Sequence, residues 1–149
     1  MKTLLTTAAA LLALSSTAVF ADGDADKGEK DFKKCKSCHE ITDPDGEKIV
    51  KGGKTGPNLW GVVGRQAGTE ADFEGKYSDV MVEAGEAGLV WDEEALIEYL
   101  PDPTAYLEEV SGDDSGKSKM TFKLKKGAED VAAYLATFGD GGEEGDSDS

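Results

Sequence analysis

The clearest hydrophobic pattern in the sequence lies near residue 135. Four apolar side chains there are spaced three and four positions apart, which is one face of an α-helix: Val131, Tyr134, Leu135 and Phe138. Gly139 follows them and is expected to end that helix. The same spacing recurs from residue 24 to residue 38, at Ala25, Gly28, Phe32 and Cys35. We expect these two helices to pack on each other, with Phe32 in the contact.

Three shorter helices are predicted between these two, over residues 79–85, 93–100 and 103–109. Each follows a side chain that can cap its first turn: Ser78, Asp92 and Asp102. Pro103 suits the first helical position, where the missing N–H is not needed. Residues 40–76 carry eight glycines and no alternating run of strand length, so a long loop without helix or sheet is expected there. A compact domain tolerates such a loop only if it wraps another group.

Both ends of the sequence are expected to lie outside the folded domain. Lys2 precedes an apolar run that closes with the small-residue pattern of residues 19–21, so residues 1–21 are predicted to be a cleaved signal peptide. A retained membrane anchor is the alternative, but five serines and threonines interrupt this run. Residues 139–149 contain only Gly, Asp, Glu and Ser, which predicts a disordered acidic tail. The domain then spans residues 22–138 of a chain exported to the periplasm.

The charge of the chain excludes one large class of partner. The full sequence has a net charge of −15, and loss of Lys2 with the signal peptide makes the remainder more negative. A nucleic-acid binder needs the opposite sign, so nucleic acid is not an expected partner. A single domain of this length buries only a modest part of its surface, and a large apolar cofactor in its core would stabilise it.

The most informative feature is the only pair of cysteines, Cys35 and Cys38, which the only histidine, His39, follows at once. Cys-x-x-Cys-His suits covalent haem attachment, because two thiols one helical turn apart can each bond a vinyl group while the imidazole reaches the iron. A structural zinc site is an alternative, but it needs four ligands and would require carboxylates here. A thiol–disulfide exchange motif is another, although it normally lies in a fold with strands.

The placement of methionine suggests a second iron ligand. Beyond the signal peptide the sequence has only Met81 and Met120. Met81 lies in a predicted helix, where core packing explains it, whereas Met120 lies in a lysine-rich loop, which is unusual for a core residue. Met120 is therefore the candidate ligand, with a lysine or an open coordination position as the alternatives.

Several further segments make the chain resemble the class I cytochromes c, in particular the larger soluble bacterial periplasmic members, from Gly28 to about Phe138. In the order of the family they are residues 35–39, 54–61, 63–65, 91, 96–100 and 119–122. The resemblance implies an all-α fold of four or five helices and long loops around one covalently bound haem c. It also implies thioether bonds from Cys35 and Cys38, with His39 and Met120 as the axial ligands of the iron.

The resemblance implies roles for five more residues. Pro57 matches the position whose carbonyl accepts the ring N–H of the proximal histidine. Arg65, Tyr77 and Trp91 match residues that hydrogen-bond the haem propionates, and Tyr99 matches a tyrosine near the methionine sulfur. Without the resemblance they would be a loop proline, a solvated arginine and packed aromatic residues.

The expected activity is electron transfer rather than catalysis, because histidine and methionine together fill both axial positions of the iron. Two segments without acidic residues, 48–69 and 115–128, flank the candidate ligands. The lysines expected to dock transiently on acidic sites of membrane-bound cytochrome complexes and oxidases are Lys36, Lys48, Lys51, Lys54, Lys117, Lys119 and Lys123. The alternative is that these lysines only confer solubility.

We expect a monomer without membrane insertion that takes single electrons from a quinol-oxidising cytochrome complex to a terminal oxidase or another periplasmic partner. Two other function classes stay open. A haem enzyme or gas-binding protein would require that Met120 not bind the iron. A thiol or metal module without haem would show titratable thiols in the exported protein.

Overall fold

The computed structural model describes residues 23–139, and within them the fold is mainly helical with long loops. Its helices are α1 (Ala25–Phe32), α2 (Asp79–Glu86), α3 (Glu93–Tyr99), α4 (Pro103–Ser111) and α5 (Ala128–Ala136). A short 3₁₀ turn covers Ala71–Phe73, and strands β1 (Ile41–Thr42) and β2 (Lys48–Val50) form an antiparallel hairpin. The predicted mainly helical architecture is confirmed. The predicted signal peptide and all but the first residue of the predicted tail lie outside the described residues.

Aspartate side chains fix the starts of three helices. The Asp92 carboxylate accepts a hydrogen bond of 2.7 Å from the Ala95 N–H in α3, and Asp102 caps α4 in the same way. Asp24 accepts two N–H groups at the start of α1. These carboxylates satisfy backbone donors that have no partner inside the helix. Ser78 precedes α2 as predicted, but its side chain makes no capping bond.

Helix α1 is shorter than its apolar spacing predicts. It ends at Phe32, and the residues up to Cys38 form successive turns instead. The carbonyl of Lys36 accepts the Gly53 N–H at 2.9 Å, and the carbonyl of Cys38 accepts the Gly56 N–H at 2.8 Å. Within these turns the N–H groups of Cys35 and Cys38 donate to the carbonyls of Phe32 and Cys35, three positions back, so the chain turns more tightly than an α-helix.

Helices α1 and α5 pack directly on each other, as their apolar faces predict. The rings of Phe32 and Tyr134 lie 5.6 Å apart between centroids. Gly28 faces the backbone of α5, where an added Cβ would lie only 1.9 Å from the carbonyl oxygen of Asp130. The lack of a side chain at Gly28 therefore sets how closely the two helices approach.

The hairpin departs from the prediction, and the expectation that residues 40–76 hold no sheet is wrong. Its two strands pair Ile41 with Val50 and are too short to show an alternating pattern in the sequence. The Asp43 carboxylate accepts two backbone N–H groups of the connecting turn, at 2.8 and 3.0 Å. This side chain stabilises a turn that brings the two short strands together.

The apolar core lies where α1, α3 and α5 meet. Its largest fully buried side chains are Phe32, Ile41, Leu107, Val80, Val131 and Pro103. On the side of Phe32, Leu96 and Val131 the core borders an internal cavity. Among residues 23–139, no helix has both the length and the apolar character needed to cross a bilayer.

Replacing Gly28 with alanine should destabilise the protein strongly, because the added methyl group would overlap the backbone of α5. Overpacking of this kind costs about 1–3 kcal/mol or more, so we expect the free energy of unfolding in denaturant to fall by at least about 2 kcal/mol. Glu29→Ala, an exposed change in the same helix, is the control and should change it by less than about 0.5 kcal/mol. Equal unfolding midpoints for the two variants would contradict the close approach.

Candidate functional site

A cavity of about 340 Å³ brings together all nine residues that the sequence singled out for a cofactor. Its wall includes Cys35, Cys38, His39, Pro57, Arg65, Tyr77, Trp91, Tyr99 and Met120. Apolar side chains of the helices supply much of the remaining wall: Phe32, Leu96, Leu100, Val131 and Leu135. The nine residues therefore share one largely apolar site, and the role of each stays a prediction.

The two thiols lie on the turns that follow α1. Cys35 is partly buried and Cys38 is exposed, and neither forms a disulfide. Burial raises the pKa of Cys35 to about 11, so this thiol is protonated at neutral pH. A protonated thiol is a weak nucleophile, which does not favour the thiol–disulfide exchange alternative.

A hydrogen bond of 2.8 Å between Nδ1 of His39 and the carbonyl oxygen of Pro57 holds the imidazole ring. A carbonyl oxygen can only accept, so Nδ1 carries the proton and Nε2 keeps its lone pair. Burial lowers the pKa of His39, which keeps the ring neutral at physiological pH. A neutral imidazole with a free Nε2 is the form that binds a metal ion.

Gly56 leaves the space that the His39 ring occupies. A Cβ at this position would lie 2.3 Å from Cε1 and 2.7 Å from Nδ1 of the ring. The loop that carries Pro57 can therefore pass directly beside the imidazole. The sequence prediction included Gly56 only as part of a signature segment. Its contact with His39, which is distant in the sequence, leaves no pattern in the residues around Gly56.

Met120 lies on a loop whose backbone is fixed by hydroxyl groups. Its N–H donates to Ser118 Oγ at 3.1 Å, and the Ser118 N–H donates to Thr104 Oγ1 at 3.2 Å. The Tyr99 hydroxyl donates to the Met120 sulfur at 3.5 Å. Burial raises the pKa of Tyr99 to about 12, so the phenol stays a neutral donor. Met81, expected to be an ordinary core residue, also lines the cavity.

Arg65, Tyr77 and Trp91 form a more polar part of the wall. Arg65 donates to two backbone carbonyl oxygens at 3.0 and 3.3 Å, which leaves further guanidinium N–H groups for other acceptors. Tyr77 Oη accepts the Glu70 N–H at 3.2 Å. The Trp91 and Tyr99 rings lie 4.8 Å apart between centroids. Arg65 is therefore a fixed, partly buried arginine rather than the solvated one of the alternative.

Glu40 is a buried charged residue next to the site that sequence reasoning missed. It follows the predicted iron ligand, is buried, and pairs with two of the predicted docking lysines, Lys48 at 3.2 Å and Lys54 at 3.6 Å. Because these lysines lie eight and fourteen positions further along the chain, nothing local in the sequence indicated the pairing. Glu40 reduces the positive charge that this side of the molecule presents.

The other predicted docking lysines also differ from one another. The Lys119 ammonium donates to the carbonyl oxygens of Lys76 and Tyr77, at 2.7 and 2.9 Å, and so joins the Met120 loop to the loop before α2. Lys123 pairs with Asp102 at 2.6 Å. Among the predicted docking lysines, Lys36, Lys51 and Lys117 are exposed, and within residues 23–139 their ammonium groups have neither an acidic partner within 4 Å nor a hydrogen bond.

The sequence and the fold are similar to those of known bacterial proteins. Cytochrome c-551 of Roseobacter denitrificans is 58% identical over 133 residues, which cover 88% of this chain and 94% of that protein. Cytochrome c2 of Rhodobacter capsulatus is 56% identical over 131 residues, which cover 88% of this chain and 94% of that protein. The solved structure of cytochrome c2 from Rhodobacter capsulatus has a TM-score of 0.74 and 57% identity, and the match covers 77% of this chain and 97% of that chain. No protein-family model matches the chain.

Gly56→Ala should displace the His39 ring, because carbon atoms in contact normally stay about 3.5–4.0 Å apart. We expect the His39 Nδ1–H to lose its protection from solvent exchange in proton NMR, and the free energy of unfolding to fall by at least about 2 kcal/mol. Gly46→Ala is the control, since Gly46 has a φ of +86° but no atom within 4 Å of an added Cβ. In this control only backbone strain should lower the free energy of unfolding, by about 1–2 kcal/mol. A His39 proton that stays protected in Gly56→Ala would refute the steric role.

Proposed function

This chain belongs to the class I cytochromes c, and on that basis we propose how its cavity holds the cofactor of the family and how it meets its redox partners. The family is shown by relatives that are 58% and 56% identical over most of the chain, and by the shared fold. The chain is therefore a monohaem electron-transfer protein rather than an enzyme, with one covalently attached haem c. The sequence predictions of family, cofactor and general activity are confirmed at this level.

Cys35 and Cys38 bond the haem covalently, and His39 is its proximal ligand. The observation that carries this assignment is the hydrogen bond from His39 Nδ1 to Pro57, which leaves Nε2 as the ring nitrogen able to bind iron. His39 follows Cys38 directly in the sequence, so a thioether at Cys38 brings the macrocycle beside the imidazole. The bond to Pro57 also raises the basicity of the ligating nitrogen.

Met120 is the second axial ligand. Its sulfur accepts one hydrogen bond, from Tyr99, which leaves a second lone pair for the iron and fixes the orientation of the thioether. Met81 is a competing candidate, because it lines the same cavity from α2. Met120 is favoured because the Ser118 hydroxyl and the Lys119 ammonium both hold its loop in place.

The residues of the cavity fit a haem in size and polarity. A volume of about 340 Å³ lies in the range of cofactor sites, and the apolar wall suits a macrocycle. Arg65 and Tyr77 supply hydrogen-bond donors for its carboxylates, since Arg65 has N–H groups left and the Tyr77 oxygen already accepts from Glu70. Trp91 adds its indole N–H to this group.

A haem iron with histidine and methionine ligands gains and loses single electrons without an open coordination position. The protein keeps this site closed through its own contacts. Burial holds His39 neutral, and Lys119 ties the Met120 loop to the carbonyl of Tyr77. These contacts favour a carrier over a haem enzyme or gas-binding protein, both of which need a vacant position.

The chain works in the periplasm, after residues 1–21 are removed, with residues 139–149 as an acidic tail. It carries electrons from a quinol-oxidising cytochrome complex to a terminal oxidase or another periplasmic partner, and it docks through its lysines on acidic surfaces. Lys36, Lys51 and Lys117 contribute most to docking, because they are exposed and their ammonium groups form neither an ion pair within 4 Å nor a hydrogen bond among the described residues. The lysines that pair with Glu40 and Asp102 contribute less net charge.

Met120→Ala should open the iron to small ligands. We expect the far-red methionine-to-iron absorption band to disappear and the reduced protein to bind carbon monoxide, as optical spectra of the two oxidation states will show. Met81→Ala removes the other cavity methionine and should leave both the band and the carbon monoxide result unchanged. If Met81→Ala rather than Met120→Ala removes the band, the ligand assignment is wrong.

Charge reversal of Lys36 and Lys51 to glutamate should slow electron transfer to a purified bacterial terminal oxidase. We expect the second-order rate constant in stopped-flow measurements to fall about ten-fold at low ionic strength, and by much less at 0.5 M salt, where charges are screened within about 4 Å. Reversal of Lys27 and Lys30 to glutamate is the control, because it changes the net charge equally and both lysines are exposed on α1 rather than on the loops that hold the candidate ligands. An equal loss in the control would show that net charge, not a docking surface, sets the rate.

A further inference from the structure

Glu70 places a buried carboxylate oxygen near the polar end of the cavity. Its Oε2 is inaccessible to solvent and has no hydrogen-bond partner among the described residues. Residues on both sides of it, Gly68 and Phe73, line the cavity, as do Arg65 and Tyr77. An unpaired buried carboxylate oxygen is unfavourable unless a nearby charge or donor compensates it, so its surroundings have to supply that compensation.

Glu70 also determines how Tyr77 can form hydrogen bonds. The Glu70 N–H donates to Tyr77 Oη at 3.2 Å, so the phenol keeps its own proton for a different acceptor. The charge of Glu70 reaches Arg65 as well. Burial lowers the pKa of Arg65, and the nearby charge of Glu70 partly offsets that effect. Glu70 is thus coupled to both residues that are proposed to bind the haem carboxylates.

We propose that Glu70 is a positioning residue that orients Tyr77 toward the haem carboxylates, and that its negative charge lowers the midpoint potential of the iron. This inference rests on the proposed haem-binding residues. A negative charge with one oxygen buried, as in Glu70, stabilises the ferric over the ferrous state, because ferric iron carries one more positive charge. Arg65 compensates only part of that charge, since no ion pair within 4 Å joins it to Glu70 in residues 23–139.

The other charged side chains between Glu70 and Tyr77 are exposed to solvent. Asp72, Glu74 and Lys76 are exposed, and the Lys76 ammonium donates to the backbone carbonyl of Asp72 at 3.1 Å. Water and salt screen these exposed charges. Glu70 is therefore the acidic residue of this segment whose charge should reach the iron.

Glu70→Gln removes the charge and keeps the size of the side chain and its backbone N–H. We expect the ratio of ferrous to ferric protein at a fixed applied potential to rise about three- to five-fold, or about 30–40 mV at 59 mV per tenfold. Glu74→Gln is the matched control, because it removes the same charge from an exposed position on the same segment. Its ratio should change by less than about 1.5-fold, and only at low salt.

Two further measurements on the full chain separate the outcomes. Glu70→Asp keeps the charge and should leave the ratio of ferrous to ferric protein close to the original. If the role of Glu70 were purely steric, the shorter side chain would change this ratio. In the unmodified protein with labelled glutamate, the infrared difference between oxidation states should contain a carboxylate band that Glu70→Asp removes, and this test does not require Glu70→Gln to fold. Equal shifts for Glu70→Gln and Glu74→Gln, or no such band, would overturn the inference. Loss of the covalent haem spectrum would instead contradict the proposed function.

Discussion

The hydrogen bond between His39 and the Pro57 carbonyl is the interaction on which the site depends, and it forms only because a glycine-rich loop can approach the histidine. Gly53 and Gly56 donate their N–H groups to carbonyls of the turn that carries both cysteines. Neither glycine has room for a side chain, since an added Cβ would meet backbone or ring atoms at 2.2–2.3 Å. A loop without regular structure thus becomes a rigid wall, because its backbone polar groups are bonded to the segment that it covers.

The positive charge near His39 depends on the ion pairs of the lysines as well as on their number. Glu40 is buried beside the proposed proximal ligand, and it holds two lysines of different segments near each other. This arrangement gives a partner a surface with few strong charges to desolvate on contact. Weak attraction of this kind suits a protein that has to leave each partner soon after meeting it.

The sequence predicts those features that depend on neighbours in the chain. The cysteines and histidine lie within five residues, so the sequence alone singles them out, and their roles stay predictions. Asp92 and Asp102 cap the helices that begin immediately after them, as predicted. The end of α1 was not predicted correctly, because the tight turns that follow it are bonded to loop residues from position 53 onward, which are distant in the sequence. The pairing of Glu40 and the cavity contact of Met81 also depend on the tertiary fold, and no residue pattern near either position could have indicated them.

The contact between α1 and α5 joins the two ends of the described chain. The Asp24 N–H donates to Asp130 Oδ1 across 106 positions of sequence. A helix of eight residues is only marginally stable by itself in water, so α1 depends on α5 for its stability. Closing so long a loop is slow, and during synthesis α5 becomes available only when nearly all the chain has been made. Of the helices in residues 23–139, the one translated first is therefore stabilised last, and a chain cut short before α5 would expose the apolar face of α1 to proteolysis.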